Sequence, residues 1–563
     1  MSRTDTTLSD ILREQARAWV ADDPDPRTRA ELGELIDRAG AGSPDAVADI
    51  QDRFDGRLQF GTAGLRGALG AGPNRINRAV VIRAAAGLTA YLQTDCSIPE
   101  PMVVVGFDAR HDSDVFARDT AAVVVGAGGR ASVLPRPLPT PLLAFAIRHL
   151  GADAGVMVTA SHNPSQDNGY KVYLGDGSQI VPPSDAQIAA HIDAVASVGD
   201  VVLADDGWET LGDEVLDAYV GRVAALVPAG APRDLSVVHT ALHGVGGDTV
   251  RRTFVAAGFA EPVPVPSQAA PDPDFPTVSF PNPEETGAID AALAVAREVG
   301  PDLVIANDPD ADRCAAAVLD NGRWRMLRGD EVGVLLGAHI LSGALPTDAV
   351  VACSIVSSRQ LAAMAAARGV QHEETLTGFK WISRVHGLVY GYEEALGYCV
   401  APGIARDKDG VSAALVLAQV AAELKAQDRT LLDVLDDLAV EHGVYATDSF
   451  SVRVADLARI APVIDRLTSQ APGQVAGVAV VRADDLAAGD GGLPPTDGIR
   501  WFLDDASRII VRPSGTEPKL KVYLEAIEPV HGRDDLVRAR TAAAARLAGV
   551  RAVLEQLTQV EVV

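Results

Sequence analysis

TASHNPSQDNGYKVY, Thr159 to Tyr173, ends a strand in a sharply polar turn, and the fold follows from what stands on either side of it. Before it lies Ala154–Val158, a short apolar run that predicts a buried strand. Asn163 precedes Pro164 and is biased away from helical backbone, so the strand leads into a turn and not a helix. A serine on such a turn, Ser161, presents its hydroxyl at the carboxyl end of a sheet, where open α/β folds place their ligands. A serine hydroxyl is a poor nucleophile until something takes its proton or a cation polarises its target. His162 adjoins it, and Lys171 follows a second turn signal at Asn168-Gly169. On these residues alone, an ordinary polar loop with a solvated lysine is the simpler account.

Working outward, strands and helices alternate. Met102–Phe107 predicts a buried strand ending in Asp108-Ala109-Arg110-His111, and a helix, a strand near Ala131 and a further helix lead back to Ala154. Upstream, Phe60 to Gly67 is a glycine-rich turn with Arg66 inside it, and the first 55 or so residues predict two amphipathic helices, the first capped by Ser9 or Asp10. Downstream the βα pattern recurs. A strand at Leu303–Ala306 ends in NDPDADR, and a strand near Leu388 leads into GYEEALGY. Three βαβ-type rounds each deliver one unusual loop after a buried strand, which predicts largely parallel or mixed sheets. The last block alternates strands with two helices and predicts a smaller α+β domain. The expected domains are 1–215, 216–327, 328–442 and 443–563.

NDPDADR sets Asp308, Asp310 and Asp312 at alternate positions, which in an extended segment share one face. Two carboxylates ~4 Å apart repel by about 4 kcal/mol at an effective dielectric near 20. A converging trio therefore calls for a cation, and an all-oxygen set suits Mg²⁺. An EF-hand is excluded, because Arg313 stands where its glycine would be needed and Leu319 where its glutamate would be. GYEEALGY offers Glu393 and Glu394 to sugar hydroxyls, with Gly391 and Gly397 allowing a mobile loop. RPSGTEPKLKVY gathers Arg512, Ser514, Thr516, Lys519 and Lys521 around Gly515, a set suited to cradling an anion.

Composition narrows the function further. The chain has 563 residues and a formal charge of −27, from 49 basic and 76 acidic side chains. That balance argues against nonspecific nucleic-acid or anionic-membrane binding. Any anionic substrate then needs a local cationic pocket or a metal. The four cysteines, Cys96, Cys314, Cys353 and Cys399, show neither zinc spacing nor a disulfide framework, and reduced thiols in the cytoplasm are expected. The first twenty residues lack an apolar stretch of signal-peptide type, and no run reaches the ~18–20 apolar residues of a membrane span.

Taken together, a serine, a three-aspartate metal site, a polyol-binding loop and a phosphate cradle make sense for phosphoryl transfer on a phosphorylated sugar. TASHNP, DPDADR, the EE-containing loop and RPSGTEPK stand in the order found in the α-D-phosphohexomutase superfamily of phosphoglucomutases and phosphomannomutases, which this chain resembles over nearly its whole length. The resemblance implies three similar α/β domains with mixed sheets and a smaller C-terminal α+β domain around a central cleft. It implies that Ser161 is the phosphoserine, that Asp308, Asp310 and Asp312 hold Mg²⁺ with a phosphoserine oxygen, and that Lys171 is the general acid or base. Arg66 and His162 would lie beside the phosphoryl group, and Glu393 would bind sugar hydroxyls. Arg512, Ser514, Gly515 and Thr516 would hold the far phosphate, with Arg313, Thr377, Gly378 and Lys408 as further substrate-binding positions. A sugar bisphosphate would be the activator, and a monomer or weak homodimer is expected.

One departure is Ala395, where many members carry a serine. EEALGY with TLTGFKW instead resembles the branch of phosphopentomutases and glucose-1,6-bisphosphate-forming enzymes. Glucose phosphate is the favoured substrate, with pentose phosphate next and mannose phosphate also open. A haloacid-dehalogenase-type phosphatase fails on its D-x-D-x-[TV] pattern, since the fifth position from Asp308 or Asp310 is Asp312 or Cys314. A P-loop kinase lacks its glycine-lysine signature. A sugar-phosphate sensor would be expected to have lost Ser161 or the aspartates, and both are present.

Overall fold

The structure is a computed structural model, and it describes residues 8–454, 459–489, 492–514 and 519–559. The chain forms two compact units, 1–317 with 401–418, and 318–400 with 419–563.

The first unit opens with three helices, Asp10–Asp22, Pro26–Gly40 and Pro44–Arg53, not the two expected. Ser43 and Pro44 supply an N-cap and a first-turn proline in the middle of what reads as one helix. Ser9 caps the first helix, its side chain accepting from the Leu12 amide. These helices close over their own core, in which Leu32 and Ile50 have no solvent exposure.

The first sheet runs Leu65–Ala68, Asp167–Leu174, Ala154–Val158, Met102–Phe107, Arg130–Val133, Glu209–Thr210. Its centre is parallel, and Asp167–Leu174 and Leu65–Ala68 run antiparallel at one side. The central strands are continuous apolar runs because helices cover both faces. Val103, Val104 and Val105 are all fully buried, worth roughly 1.5–3 kcal/mol each. Arg66 lies on Leu65–Ala68, a strand, and not in the glycine turn where the sequence reading put it. Gly64 makes that turn: at φ +74° a Cβ there would stand 1.9 Å from the Tyr170 carbonyl oxygen.

A second sheet in this unit pairs Val237–Thr240 in parallel with Leu303–Ala306 and Val263–Pro264. Residues 315–317 return antiparallel to Leu303–Ala306. NDPDADR occupies the loop between the two strands. It is not the extended segment expected. It turns, with Ala311 at φ +53°, and the turn is what converges its carboxylates.

In the second unit, Val350–Ser354 pairs in parallel with Gln371–Thr375 and with Leu388–Glu393, and Gly397–Cys399 returns antiparallel. The expected mobile loop around Glu393 is therefore a tight hairpin, in which Gly391 and Gly397 are themselves paired strand residues. A final antiparallel sheet runs Val444–Arg453, Lys519–Glu528, Arg508–Pro513, Ile499–Leu503, Val478–Asp485, Gln474–Val475. Its last two strands were not anticipated. Val478–Asp485 is mostly exposed and polar toward its end, so it carries no clear apolar alternation. Leu536–Leu557 packs on this sheet, with Leu547, Val550 and Leu554 in its core.

Candidate active site

The site in the first unit is assembled from strands and from the turns that follow them. Ala154–Val158 delivers Ser161, Leu65–Ala68 delivers Arg66, and Asp167–Leu174 delivers Lys171. Leu303–Ala306 delivers the aspartate turn. Ser161 is 2% exposed and held at φ +55°, a left-handed conformation that costs a serine about 1–3 kcal/mol. Two contacts hold it there. Its amide donates to Thr159 Oγ1 at 2.8 Å. The Arg110 guanidinium donates to the carbonyls of Ser161, Asn163, Pro164 and Asp167 at 2.5–3.0 Å. Arg110 is buried and sits 3.3 Å from Asp108. In the sequence, Arg110 stands out only as the end of a strand. Its signal was an arginine directly after an apolar strand, a place that exposes a cation to burial and so demands partners.

Ser161 Oγ donates to Asp308 Oδ2 at 3.0 Å and stands 3.4 Å from His162 Nδ1. Arg66 donates to Asn163 Oδ1 at 3.2 Å, which places its guanidinium beside the same turn. Asp308, Asp310 and Asp312 each turn one carboxylate oxygen inward, with those oxygens within 4.8 Å of one another, and all three are buried.

Cations answer these charges. Lys171 Nζ donates to Asp310 Oδ2 at 2.7 Å and to Asp312 Oδ2 at 3.0 Å. Lys408 Nζ lies 3.2 Å from Asp312, and Arg313 Nε lies 3.7 Å from Asp312 and 3.8 Å from Asp308. Thr140, also unanticipated, donates its hydroxyl to Asp310 Oδ2 at 2.6 Å and its amide to the Asp310 carbonyl.

The titration behaviour follows from this packing. Burial and the charges of Asp310 and Asp312 push Asp308 well above the usual carboxylate range. Burial also opposes ionisation of Asp312, but Lys171, Lys408 and Arg313 outweigh it and hold Asp312 low. For Lys171, burial works against the charge, and Asp310 and Asp312 overcome it, leaving the ammonium more basic than usual.

The residues fit a hard divalent cation. The donors are all oxygen, and Asp310 Oδ1 and Asp312 Oδ1 are buried with no hydrogen-bond partner among the described residues. Such oxygens are costly to leave unmatched in a packed interior.

Lys408 reaches this site on the segment Arg406 to Gly410, which is clamped from below. Tyr173 donates to Asp407 at 2.6 Å and Tyr219 to Asp409 at 2.7 Å. Gly410 allows the close approach, since a Cβ there would stand 2.2 Å from the Arg313 carbonyl oxygen.

The second unit carries the other predicted residues. The Gly378 amide donates to Glu393 Oε1 at 2.6 Å, so Thr377-Gly378 and Glu393 lie together. Glu394 is satisfied within the unit, accepting from the Ser354 and Ser357 hydroxyls at 3.1 and 3.0 Å. Burial raises its carboxyl, Asp330 adds to that, and Lys521 opposes it. Arg512 stands opposite Lys521 in the hairpin, and the Ser514 amide donates to the Lys519 carbonyl at 2.8 Å. Gly515 and Thr516 lie outside the described residues.

Sequence comparison bears on this arrangement directly. The profiles of phosphoglucomutase/phosphomannomutase domains I, II and III (each described as alpha/beta/alpha) and of the C-terminal domain match residues 57–198, 217–322, 328–441 and 452–534 in order. The chain belongs to the phosphoglucomutase/phosphomannomutase family. It is a phosphomutase, an isomerase that relocates a phosphoryl group on a sugar phosphate. A Haemophilus influenzae protein named "Probable phosphomannomutase" is 48% identical over 80% of this chain and 93% of its own length. The phosphoribomutase of Saccharomyces cerevisiae is 35% identical over 92% of this chain and 93% of its own. Among solved structures, a phosphoglucomutase/phosphomannomutase family protein from Burkholderia thailandensis shares the fold, with a TM-score of 0.69 at 20% identity over 88% of this chain and 96% of that one. Among the described residues, no helix is long and apolar enough to cross a membrane.

Proposed function

We propose that this phosphomutase interconverts 1-phospho and 6-phospho hexoses, α-D-glucose 1-phosphate and glucose 6-phosphate first among them, through a phosphoserine at Ser161 and a bisphosphorylated sugar. The observation that carries this is the Ser161 hydroxyl, set on a strained turn 3.0 Å from a buried carboxylate of the aspartate trio, whose other members hold Lys171.

In this reading a sugar bisphosphate loads Ser161. The phosphoryl group then passes to a sugar hydroxyl, the bond from phosphorus to Ser161 Oγ breaking as the bond to the sugar oxygen forms. Asp308, Asp310 and Asp312 would hold Mg²⁺. When bound, the ion withdraws charge from the phosphoryl oxygens and neutralises carboxylates that otherwise keep Lys171 charged. Lys171 takes the hydroxyl proton at Nζ and returns it when the phosphoryl group comes back. Arg66 and His162 stand beside the phosphoryl group, Arg66 adding a fixed positive charge where negative charge spreads in the transition state. Arg110 keeps the Ser161 backbone in its strained geometry. Glu393 with Thr377-Gly378 binds sugar hydroxyls, Arg512, Ser514, Gly515 and Thr516 bind the non-reacting phosphate, and Lys408 and Arg313 contact substrate.

A second reading is a pentose 1-phosphate to 5-phosphate conversion. Ala395 leaves room for it, because the sugar hairpin lacks the hydroxyl that many members of the family place there. So does the near full-length match to a yeast protein named for ribose. The deciding experiment measures kcat/KM on glucose, mannose and ribose 1-phosphates, with Mg²⁺ and the matching bisphosphate primer. A lead of tenfold or more for glucose, about 1.4 kcal/mol of transition-state preference, supports the first reading. An equal lead for ribose replaces it with the second.

A further inference from the structure

Thr140 opens helix Thr140–Leu150, between Pro139 and Pro141, and is fully buried. A helix leaves its first amides without partners of its own. Here Pro141 has no amide, and those of Leu142 and Leu143 turn back to the Pro139 carbonyl at 3.1 and 3.4 Å. The Thr140 amide is the first-turn donor left over, and it reaches the Asp310 carbonyl at 2.9 Å. Its hydroxyl reaches Asp310 Oδ2 at 2.6 Å, as short as a charge-assisted bond from a hydroxyl to a carboxylate becomes. One residue thus grips Asp310 twice, at the backbone and at the side chain, and fixes how the carboxylate is turned.

That rotation matters because a carboxylate has two oxygens to offer. Lys171 Nζ also donates to Asp310 Oδ2, at 2.7 Å, so this oxygen carries two donors. Asp310 Oδ1 is buried with no hydrogen-bond partner among the described residues. Asp312 repeats the pattern: Lys171 and Lys408 lie 3.0 and 3.2 Å from its Oδ2, and its Oδ1 is likewise unpartnered among the described residues. Two of the three aspartates are therefore set to offer one oxygen each. Single oxygens suit Mg²⁺, which demands near-octahedral geometry and keeps several waters. Ca²⁺ takes about 6–8 oxygens in looser arrangements, often two from one carboxylate.

We propose that Thr140 is a positioning residue for the metal centre: by holding Asp310 Oδ2 it presents Oδ1 alone, and so favours Mg²⁺ over Ca²⁺. This rests on the reading of the three aspartates as metal ligands. Without the hydroxyl, Asp310 keeps Lys171 but loses the bond that fixes its rotation, and it can turn both oxygens toward an ion. Mg²⁺ then loses an aligned ligand. Ca²⁺, which tolerates irregular geometry, loses less.

The test is calorimetric titration of the full-length protein with Mg²⁺ and, separately, with Ca²⁺. Thr140→Val keeps the side chain's shape and removes its hydroxyl. It is expected to weaken Mg²⁺ binding about tenfold and Ca²⁺ binding less than about threefold. Thr140→Ala carries the same expectation should the valine variant fold poorly. Thr140→Ser keeps the hydroxyl and is expected to bind Mg²⁺ within about threefold of the wild type. Thr89→Val removes another buried hydroxyl of the same unit, one that donates to the Ala85 carbonyl at 2.8 Å, and is expected to leave both affinities unchanged. Equal weakening of the two ions in Thr140→Val, an unchanged Mg²⁺ affinity, or a Thr140→Ser as weak as Thr140→Val overturns the role of Thr140 alone. A wild type that binds neither ion, or an Asp310→Asn variant that binds Mg²⁺ as the wild type does, overturns the metal reading and this inference with it.

Discussion

His239 shows how single residues beneath the site tie its integrity to pH. It is buried, its Nε2 meets Asn307 Oδ1 at 2.8 Å, and Asn307 in turn donates to the Arg313 carbonyl at 2.6 Å. Burial pushes its imidazole down to about 4. The unfolded chain takes up this proton below pH ~6.5, the folded chain only below about 4. Its stabilising contribution is thus complete above pH ~6.5 and falls as pH drops toward 4, by an amount on the order of 3 kcal/mol. His239→Gln keeps a donor for Asn307 but does not titrate. We expect its thermal midpoint to fall less than that of the wild type between about pH 7 and pH 5. Equal falls would remove His239 as a cause. Much of the site was legible at this scale. Ser161 and the three aspartates stand out because small polar or like-charged residues directly after apolar strands need a reason, and Lys171 because it follows a turn signal at Asn168-Gly169. Arg110 and Thr140 did not stand out, because each acts through partners more than fifty residues away, which no local pattern records.

Among elements, the loops matter through how closely they approach one another. Gly410 lets the Lys408 segment touch the end of the aspartate turn, where a Cβ would lie 2.2 Å from the Arg313 carbonyl and 2.7 Å from that of Ala311. Gly403, just before that segment, has nothing within 4 Å of its Cβ position. Gly410→Ala is expected to destabilise by about 1–3 kcal/mol, since backbone and not a flexible side chain must yield, and to weaken divalent-ion binding with it. Gly403→Ala is expected to change stability by less than ~0.5 kcal/mol. Thermal melts and a metal titration of both variants check this; equal effects would contradict the packing argument. The elements themselves were largely predictable, because buried parallel strands such as Val350–Ser354 are unbroken apolar runs. The errors fell where local pattern and tertiary pairing diverge. The Glu393 glycines permit mobility but are locked into a hairpin, and the aspartates alternate as in a strand but converge through a turn at Ala311.

At the scale of the whole molecule, a chain of net charge −27 works on anionic sugar phosphates. Cations nonetheless gather at the proposed substrate site. Lys171, Lys408, Arg313 and Arg66 gather at the aspartate turn in the first unit, and Arg512 and Lys521 face each other in the hairpin of the second. The order of four motifs along the chain made this plan visible before the structure did. The central claim, that Ser161 lends and recovers the phosphoryl group, is tested most directly by incubating the protein with ³²P-labelled glucose 1,6-bisphosphate and Mg²⁺, then mapping the label by peptide. The account predicts label on Ser161, chased off by glucose 1-phosphate, and none in Ser161→Ala, which retains its fold but loses nearly all turnover. Label on another residue, or a Ser161→Ala enzyme that turns over at a near-normal rate, would contradict it.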